Sequence, residues 1–328
     1  MPRDPLDVWA MADLTTPFAV RTVATLRIAD EVSGGPLPLA ELARRCGADP
    51  DPLGRVLRFL VHRGLFSEPE PGVFGPNRAS RALEGDDGAR AWLDLDGAVG
   101  RADLAFVELI EQVRGHHTAY PTAFGRTFWE DLAHSDRLSD SFDALMEAKT
   151  RSLAPAVASG HDWSRFARVA DVGGGKGVLL AEILRTHPGL RGILLDRKGP
   201  VRNAAEHFRA NGLADRTEVV AADFFEPLPV EADAVVLCDV LGDWDDDDAV
   251  RILRRCAEAA GRVVVIEVVA GPGVMKLFTE LDLRMMIYVG GRLRDLDALD
   301  RVAVTAGLTV AEVNRLDNGY CIVECARR

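Results

Sequence analysis

In residues 17–32, PFAVRTVATLRIADEV, apolar side chains recur at helical spacing and the run stops at Gly34-Gly35, which predicts one helix. PLAELARRCG (38–47) predicts a second, short amphipathic helix closed by Gly47. DPDPLGRVLRFLVHRG (49–64) predicts a third, with Asp51 as N-cap and Pro52 at the first helical position. LFSEPEPGVFGPN (65–77) alternates and carries Pro and Gly, as a small hairpin does. Helix, helix, helix, hairpin is a winged-helix order. Beyond residue 165 the pattern changes. Short apolar runs (RVADVG, GILLD, TEVVAAD, AVVLCDVL, RVVVIEVV) alternate with helical stretches such as GVLLAEILRTH and AVRILRRCAEAA. Strand–helix alternation predicts an α/β fold on a doubly wound parallel sheet. LTVAEVNRL and GYCIVECA flank Asn318-Gly319, a hairpin signal that makes the last edge antiparallel.

The segment between is helical and aromatic. It holds Phe106, Tyr120, Phe124, Phe128, Trp129 and Phe142 in a chain that is only 6% aromatic, so the clustering carries information. It reads either as packing at a domain junction or as a lid over a flat apolar substrate. The expected organisation is a winged-helix-like dimerisation domain (1–100), a helical linker or lid (101–160), and a ligand-binding sheet domain (161–328).

Charge narrows the partners. With 39 Lys+Arg against 51 Asp+Glu the net charge is −12, and residues 1–100 carry 11 basic against 15 acidic side chains. The third helix offers only Arg55, Arg58 and Arg63. A DNA reader needs a basic face, so the winged-helix order is read as a dimerisation device and no nucleic acid is expected. Trp9, Met11, Leu14, Phe18 and Val20 supply an apolar surface for a homodimer. No run of about 18 apolar residues predicts a membrane span. Asp4, Asp7 and Asp13 break a signal-peptide pattern. Five cysteines without a CxxC pair read as free thiols in a reducing cytoplasm. No His/Cys/Asp cluster has metal-ligand spacing, so no metal is expected.

The sharpest local signal is Asp171-Val172-Gly173-Gly174-Gly175-Lys176-Gly177, where the first strand of the sheet turns into a helix. A dinucleotide fingerprint from Gly173 requires Gly or Ala at 178, which is Val178. A P-loop requires Ser or Thr after Gly-Lys, and that position is Gly177. What remains is D-x-G-x-G-x-G led by an acid. An acid repels phosphate and suits an ammonium group, which points to an amino-acid-bearing nucleoside. Asp196 ends the next strand, where a ribose diol would lie. Asp223 ends the third and precedes Phe224 and Phe225, an acid and an aromatic face for adenine. The set reads as an S-adenosylmethionine site.

These motifs, with VLGDWDDDDAVRILRRCAEA and FTELDLRMMIYVGGRLR (278–294), resemble class I S-adenosylmethionine-dependent small-molecule O-methyltransferases. The likeness covers nearly the whole chain. It is strongest to the actinobacterial polyketide-tailoring branch, which includes carminomycin 4-O-methyltransferase and aclacinomycin 10-hydroxylase-like proteins. The resemblance implies a Rossmann-like domain, an N-terminal winged-helix dimerisation domain and a homodimer acting on an aromatic small molecule. It implies Asp171, Gly173 and Gly175 at the methionine part of the cofactor, Asp196 at the ribose, Asp223 and Phe224 at adenine, and Trp244 nearby. It implies Met146, Asp282, Met285 and Met286 near the substrate, and Trp129, Met146 and Met286 are expected to shape an apolar slot for a flat ring system.

Two positions depart from the pattern. Many members carry a basic histidine in a His-Asp-Trp motif; here it reads Gly242-Asp243-Trp244. Many carry Glu in Gly-Gly-Lys-Glu-Arg; here Gly290-Gly291-Arg292-Leu293-Arg294 holds Leu293. Asp243, Glu267 and the pair His116 and His117 are the candidate replacement acids and bases. Losing a general base removes about 10²–10⁴-fold of rate, and proximity supplies more than that. Two readings stay open: methyl transfer by positioning, and a cofactor-retaining tailoring enzyme that hydroxylates, decarboxylates or cyclises.

Overall fold

Val23, Ile28, Leu42, Leu57, Leu60 and Phe74, all nearly solvent-free, form the core of the N-terminal part. Around them pack α1 (Thr15–Thr25), α2 (Leu39–Cys46) and α3 (Pro50–His62). A three-stranded antiparallel sheet completes it, from β1 (Leu37–Pro38), β2 (Ser67–Glu70) and β3 (Val73–Gly75) in the order β1-β3-β2. Two local expectations differ. The helix over 17–32 is broken: α1 ends at Thr25, Arg27 takes a left-handed φ of 56°, and a separate turn runs Ile28–Glu31. The Arg27 guanidinium donates to Asp30 (3.0 Å), which ties the reversed residue to the turn it starts. The third helix is capped by Asp49, not Asp51, with Pro50 at its start. Both prolines of the Asp-Pro repeat then lie in the first turn, where no N–H is needed.

The structure, a computed structural model, describes residues 8–86, 88–115, 118–271 and 273–328. It divides into two units, Met1–Leu104 with Asp140–Leu145, and Ala105–Ser139 with Met146–Arg328. His116 and His117 lie outside the described residues.

The second unit is built on seven strands: β4 (Arg168–Val172), β5 (Arg191–Asp196), β6 (Thr217–Ala221), β7 (Ala232–Cys238), β8 (Ala260–Val268), β9 (Leu308–Arg315) and β10 (Tyr320–Arg327). Their order is β6-β5-β4-β7-β8-β10-β9. The first five pair in parallel, and β10 pairs antiparallel with both β8 and β9, as Asn318-Gly319 predicts. Strand residues alternate between two cores, as a period of two requires. Ala170, Val172, Val235 and Leu237 pack with α8 (Asp246–Ala259) and α10 (Leu296–Thr305). Val169, Leu194 and Val236 pack with the end of α5 (Asp136–Ser159), with α6 (Val178–Thr186) and with α7 (Ala204–Ala210). Also in this unit are α4 (Phe128–His134) and α9 (Met275–Val289). Because β4 lies between β5 and β7, the chain reverses direction of winding there. Ligands of such sheets bind at the carboxyl ends of the strands beside this switch point.

No helix among the described residues is long and apolar enough to cross a membrane. All five cysteines are free. Trp9, Met11 and Leu14 are 84%, 77% and 72% exposed in the single chain, whereas Val20 packs against the core of its own unit. Contiguous exposed apolar side chains mark association surfaces. Light scattering at micromolar concentration is expected to give a dimer, and Trp9→Glu with Leu14→Glu is expected to give a folded monomer. A dimer unaffected by both substitutions would place the interface elsewhere.

Candidate active site

The turn after β4 is shaped around one acid. Asp171 is buried, and neither carboxylate oxygen has a hydrogen-bond partner among the described residues. A Cβ at position 174 would lie 2.4 Å from Asp171 Oδ2, so only Gly174 lets the loop close over that carboxylate. Gly173 and Gly175 take φ of +75° and +59°, a region that favours glycine. Lys176, the one cation of the loop, donates to Glu147 of α5 (3.0 Å) and is thereby drawn away from the turn. Burial and the nearby Asp196 carboxylate push the Asp171 carboxyl up to about 7. An unpaired buried acid is unstable by itself and is satisfied by a cation. The ammonium of an amino-acid-bearing nucleoside is such a group, so the donor set fits S-adenosylmethionine.

Asp196 stands at the end of β5. Its carboxylate accepts from Gly175 N (2.9 Å) and Arg197 N (2.7 Å), so it holds the glycine turn and the strand end together. Burial pushes its pKa up. Asp223 is exposed and accepts from Phe225 N (2.9 Å), which presents Phe224 and Phe225 at the mouth. Trp244 meets Phe224 and Phe225 edge-on at 5.9 and 4.7 Å between ring centroids. Trp129 of α4 stacks on Trp244 (6.3 Å, 16°) and lies 5.3 Å beneath the Arg197 guanidinium. The structure therefore brings Trp129 beside Trp244 and Arg197, next to the residues expected at adenine and ribose.

The turn Leu241–Asp243 occupies the histidine's place in the motif. Glu267 near the end of β8 accepts through Oε1 from the N–H groups of Val240, Leu241 and Gly242 (3.1, 2.8 and 3.3 Å). Arg294 is buried and donates to the carbonyls of Leu241 (2.7 Å) and Trp244 (3.0 Å) and to Asp246 (2.9 Å). Asp245 caps α8, accepting from Asp248 N (2.9 Å). Asp243 is thus left out of the cap. Burial and the Glu267 and Asp239 carboxylates push its pKa well up. Burial and Asp239 push Glu267 up to about 7. A Cβ at 242 would lie 2.8 Å from Leu293 Cδ2 and 3.1 Å from Glu267 Oε2. The two departures from the family pattern are therefore neighbours: Leu293 fills the room that a side chain at 242 would need.

Of the expected substrate residues, Met146 lies on α5 and Met286 on α9, both half-buried. Gln112 ties α9 to the aromatic segment, donating to Met286 O (2.8 Å) and accepting from Ala119 N (3.0 Å). Asp282 accepts from Leu293 N (2.8 Å) and so anchors the 290–294 loop. Sequence reasoning missed a further group. Lys149, one turn after Met146, pairs with Asp239 (3.0 Å) just beyond β7, and Tyr320 of β10 donates to the same carboxylate (3.0 and 3.1 Å). A signal was present: only four of the 39 basic residues are lysine.

Comparison with known proteins gives the family. Residues 106–309 match the O-methyltransferase domain and residues 10–85 the O-methyltransferase dimerisation domain. The chain is 47% identical to 2,7-dihydroxy-5-methyl-1-naphthoate 7-O-methyltransferase of Streptomyces carzinostaticus, over 92% of each chain. It is 44% identical to aclacinomycin 10-hydroxylase RdmB of Streptomyces purpurascens, over 92% of this chain and 83% of that one. The solved O-methyltransferase NcsB1 from neocarzinostatin biosynthesis superposes with a TM-score of 0.92 at 45% identity. The match covers 99% of this chain and 100% of that one, and NcsB1 was crystallised with S-adenosylmethionine and 2-hydroxy-5-methyl naphthoic acid.

Lifting the Asp171 carboxyl from 3.8 to about 7 costs the ligand-free fold roughly 4 kcal/mol once that group ionises. The folded state holds the proton longer than the unfolded chain. The penalty is therefore absent below pH 4, grows between pH 4 and 7, and is fully present above 7. Asp171→Asn is expected to raise the melting temperature of the ligand-free protein at pH 8, to change it little at pH 4, and to weaken S-adenosylhomocysteine binding more than tenfold. Unchanged affinity by calorimetry would remove Asp171 from the cofactor site.

Proposed function

We propose, from the premise that this chain belongs to the O-methyltransferase family, that it methylates a hydroxyl of an aromatic, polyketide-type acceptor mainly by proximity and orientation. The unpartnered Asp171 carboxylate inside its glycine cradle carries the reading. S-adenosylmethionine supplies a methyl group on a sulfonium. Asp171, Gly173 and Gly175 take its amino-acid end, Asp196 the ribose, and Asp223, Phe224 and Trp244 the adenine. Trp129 encloses the nucleoside side of the slot, and Met146 and Met286 offer apolar contacts to a flat ring. Asp282 positions Leu293 against Gly242. The enzyme works as a homodimer in the cytoplasm.

The proton needs separate treatment. A phenol of pKa near 10 is a weak nucleophile at neutral pH, and Gly242 cannot accept its proton. Asp243 is pushed toward its neutral form, and one oxygen of Glu267 is engaged by three backbone N–H groups. Both border the acceptor and shape its seat. A general base contributes about 10²–10⁴-fold, roughly 3–5 kcal/mol, whereas orientation contributes about 7–11 kcal/mol. Positioning is the larger effect, so the reaction survives the loss of histidine.

Mass spectrometry with S-adenosylmethionine and a panel of hydroxynaphthoates and hydroxyanthraquinones tests the proposal. Equimolar gain of 14 Da and release of S-adenosylhomocysteine is expected. Oxygen gain or carbon dioxide loss without that release would favour the hydroxylase-type alternative, which the likeness to RdmB keeps in view. Glu267→Gln and Asp243→Asn are each expected to stay within tenfold of the parent rate at pH 8. A loss beyond 10² in either would identify a general base.

A further inference from the structure

The ion pair between Lys149 and Asp239 is not among the groups assigned above to the cofactor. It joins three elements: α5, the residue after β7, and the first residue of β10. Asp239 takes a left-handed φ of 53°, uncommon for a residue with a side chain. A partly buried ion pair seldom adds net stability over apolar packing. Its occurrence together with a left-handed backbone residue, beside the β4–β7 switch point, points to a functional position. The Lys149 side chain keeps 29% exposure although Asp239 holds its ammonium at 3.0 Å and the Tyr320 ring centroid lies 5.8 Å away. An ammonium has three N–H donors, so it can serve Asp239 and a ligand together.

The charges around it are mostly acidic or neutral. Asp239, Cys238 and Asp243 come from β7 and the turn beyond it, Glu267 from β8, Asp171 from β4 and Tyr320 from β10. Glu147 on its own helix is bound to Lys176 and Arg151. Asp239 keeps Lys149 protonated by raising its pKa despite burial, and burial pushes the Cys238 thiol up as well. Lys149 is therefore a permanent cation and not a base. Lys176 and Arg151 are thus engaged by Glu147, and Arg294 is spent on the carbonyls of Leu241 and Trp244 and on Asp246.

We propose that Lys149, aimed by Asp239 and Tyr320, binds the acceptor's reacting hydroxyl as the oxyanion and so replaces the missing histidine by electrostatics. This rests on the aromatic-hydroxyl reading above. The phenolic proton leaves to bulk water as the acceptor binds, the oxygen keeps the electron pair, and the ammonium neither gains nor loses a proton. A cation at hydrogen-bond range lowers an acid's pKa by about 1–3 units, which raises the ionised fraction at neutral pH by about 10–10³-fold.

The test titrates 6-hydroxy-2-naphthoate, whose naphthol and naphtholate absorb differently, bound to the protein with S-adenosylhomocysteine. In the parent protein the bound naphthol is expected to ionise at least one pH unit below the free one. Lys149→Arg is expected to retain the lowering, and Lys149→Gln to abolish it. The pair Lys149→Gln with Asp239→Asn, which leaves no orphaned carboxylate, is expected to abolish it too. In parallel, kcat/KM at pH 7 is expected to fall 10–100-fold in Lys149→Gln and to recover for more acidic naphthols. Equal bound ionisation in the parent and both Gln variants would overturn the proposal, as would a loss independent of acceptor acidity. Failure of the parent protein to bind the naphthoate would instead overturn the aromatic-acceptor reading on which it rests.

Discussion

A buried carboxylate with no hydrogen-bond partner among the described residues organises this protein. Asp171 needs a strand to hold it in the sheet, a position without a side chain at Gly174 to cover it, and Asp196 close by to finish the turn. Each raises the cost of leaving Asp171 without a cation. The cost is borne by a sheet buried on both faces, whose two apolar cores are independent of the loop. The loop's own lysine is bound to Glu147, leaving the acid to an incoming cation. This is the logic of a site more stable with ligand than without it.

The acceptor side follows a different rule. Gly242 and Leu293 look like two separate losses in sequence and are one packing event in space, since a side chain at 242 would collide with Leu293. A close approach also explains Gly291, where a Cβ would lie 2.3 Å from the Gly242 carbonyl oxygen. Glu267 and Arg294 clamp this turn from opposite sides, one through N–H groups and the other through carbonyls. What the site has lost in proton transfer it keeps in rigidity, which is what catalysis by orientation requires.

Much of this was legible in the residues. Period-two and helical patterns gave the parallel sheet and its antiparallel hairpin, and the acid-led glycine turn separated an ammonium-bearing ligand from phosphates. Local competition was not legible. Two Asp-Pro pairs could each start α3, and only the packed helix selects Asp49; nothing in the 17–32 pattern signalled the reversal at Arg27. Side-chain company was also hidden. Trp129 stacks on Trp244 under Arg197, a contact the sequence could not show because the two rings lie more than a hundred residues apart. The Lys149–Asp239–Tyr320 group joins positions scattered along the chain and has no local motif.

The central claim is that the Asp171 carboxylate pairs with the ammonium of the cofactor. Calorimetric binding of S-adenosylhomocysteine compared with 5′-methylthioadenosine, which lacks the amino-acid end, tests it between pH 5.5 and 7.5. If Asp171 pairs with the ammonium, the advantage of S-adenosylhomocysteine will grow as pH rises toward about 7, with a proton released on binding at the lower pH. An advantage that does not change with pH would contradict the account.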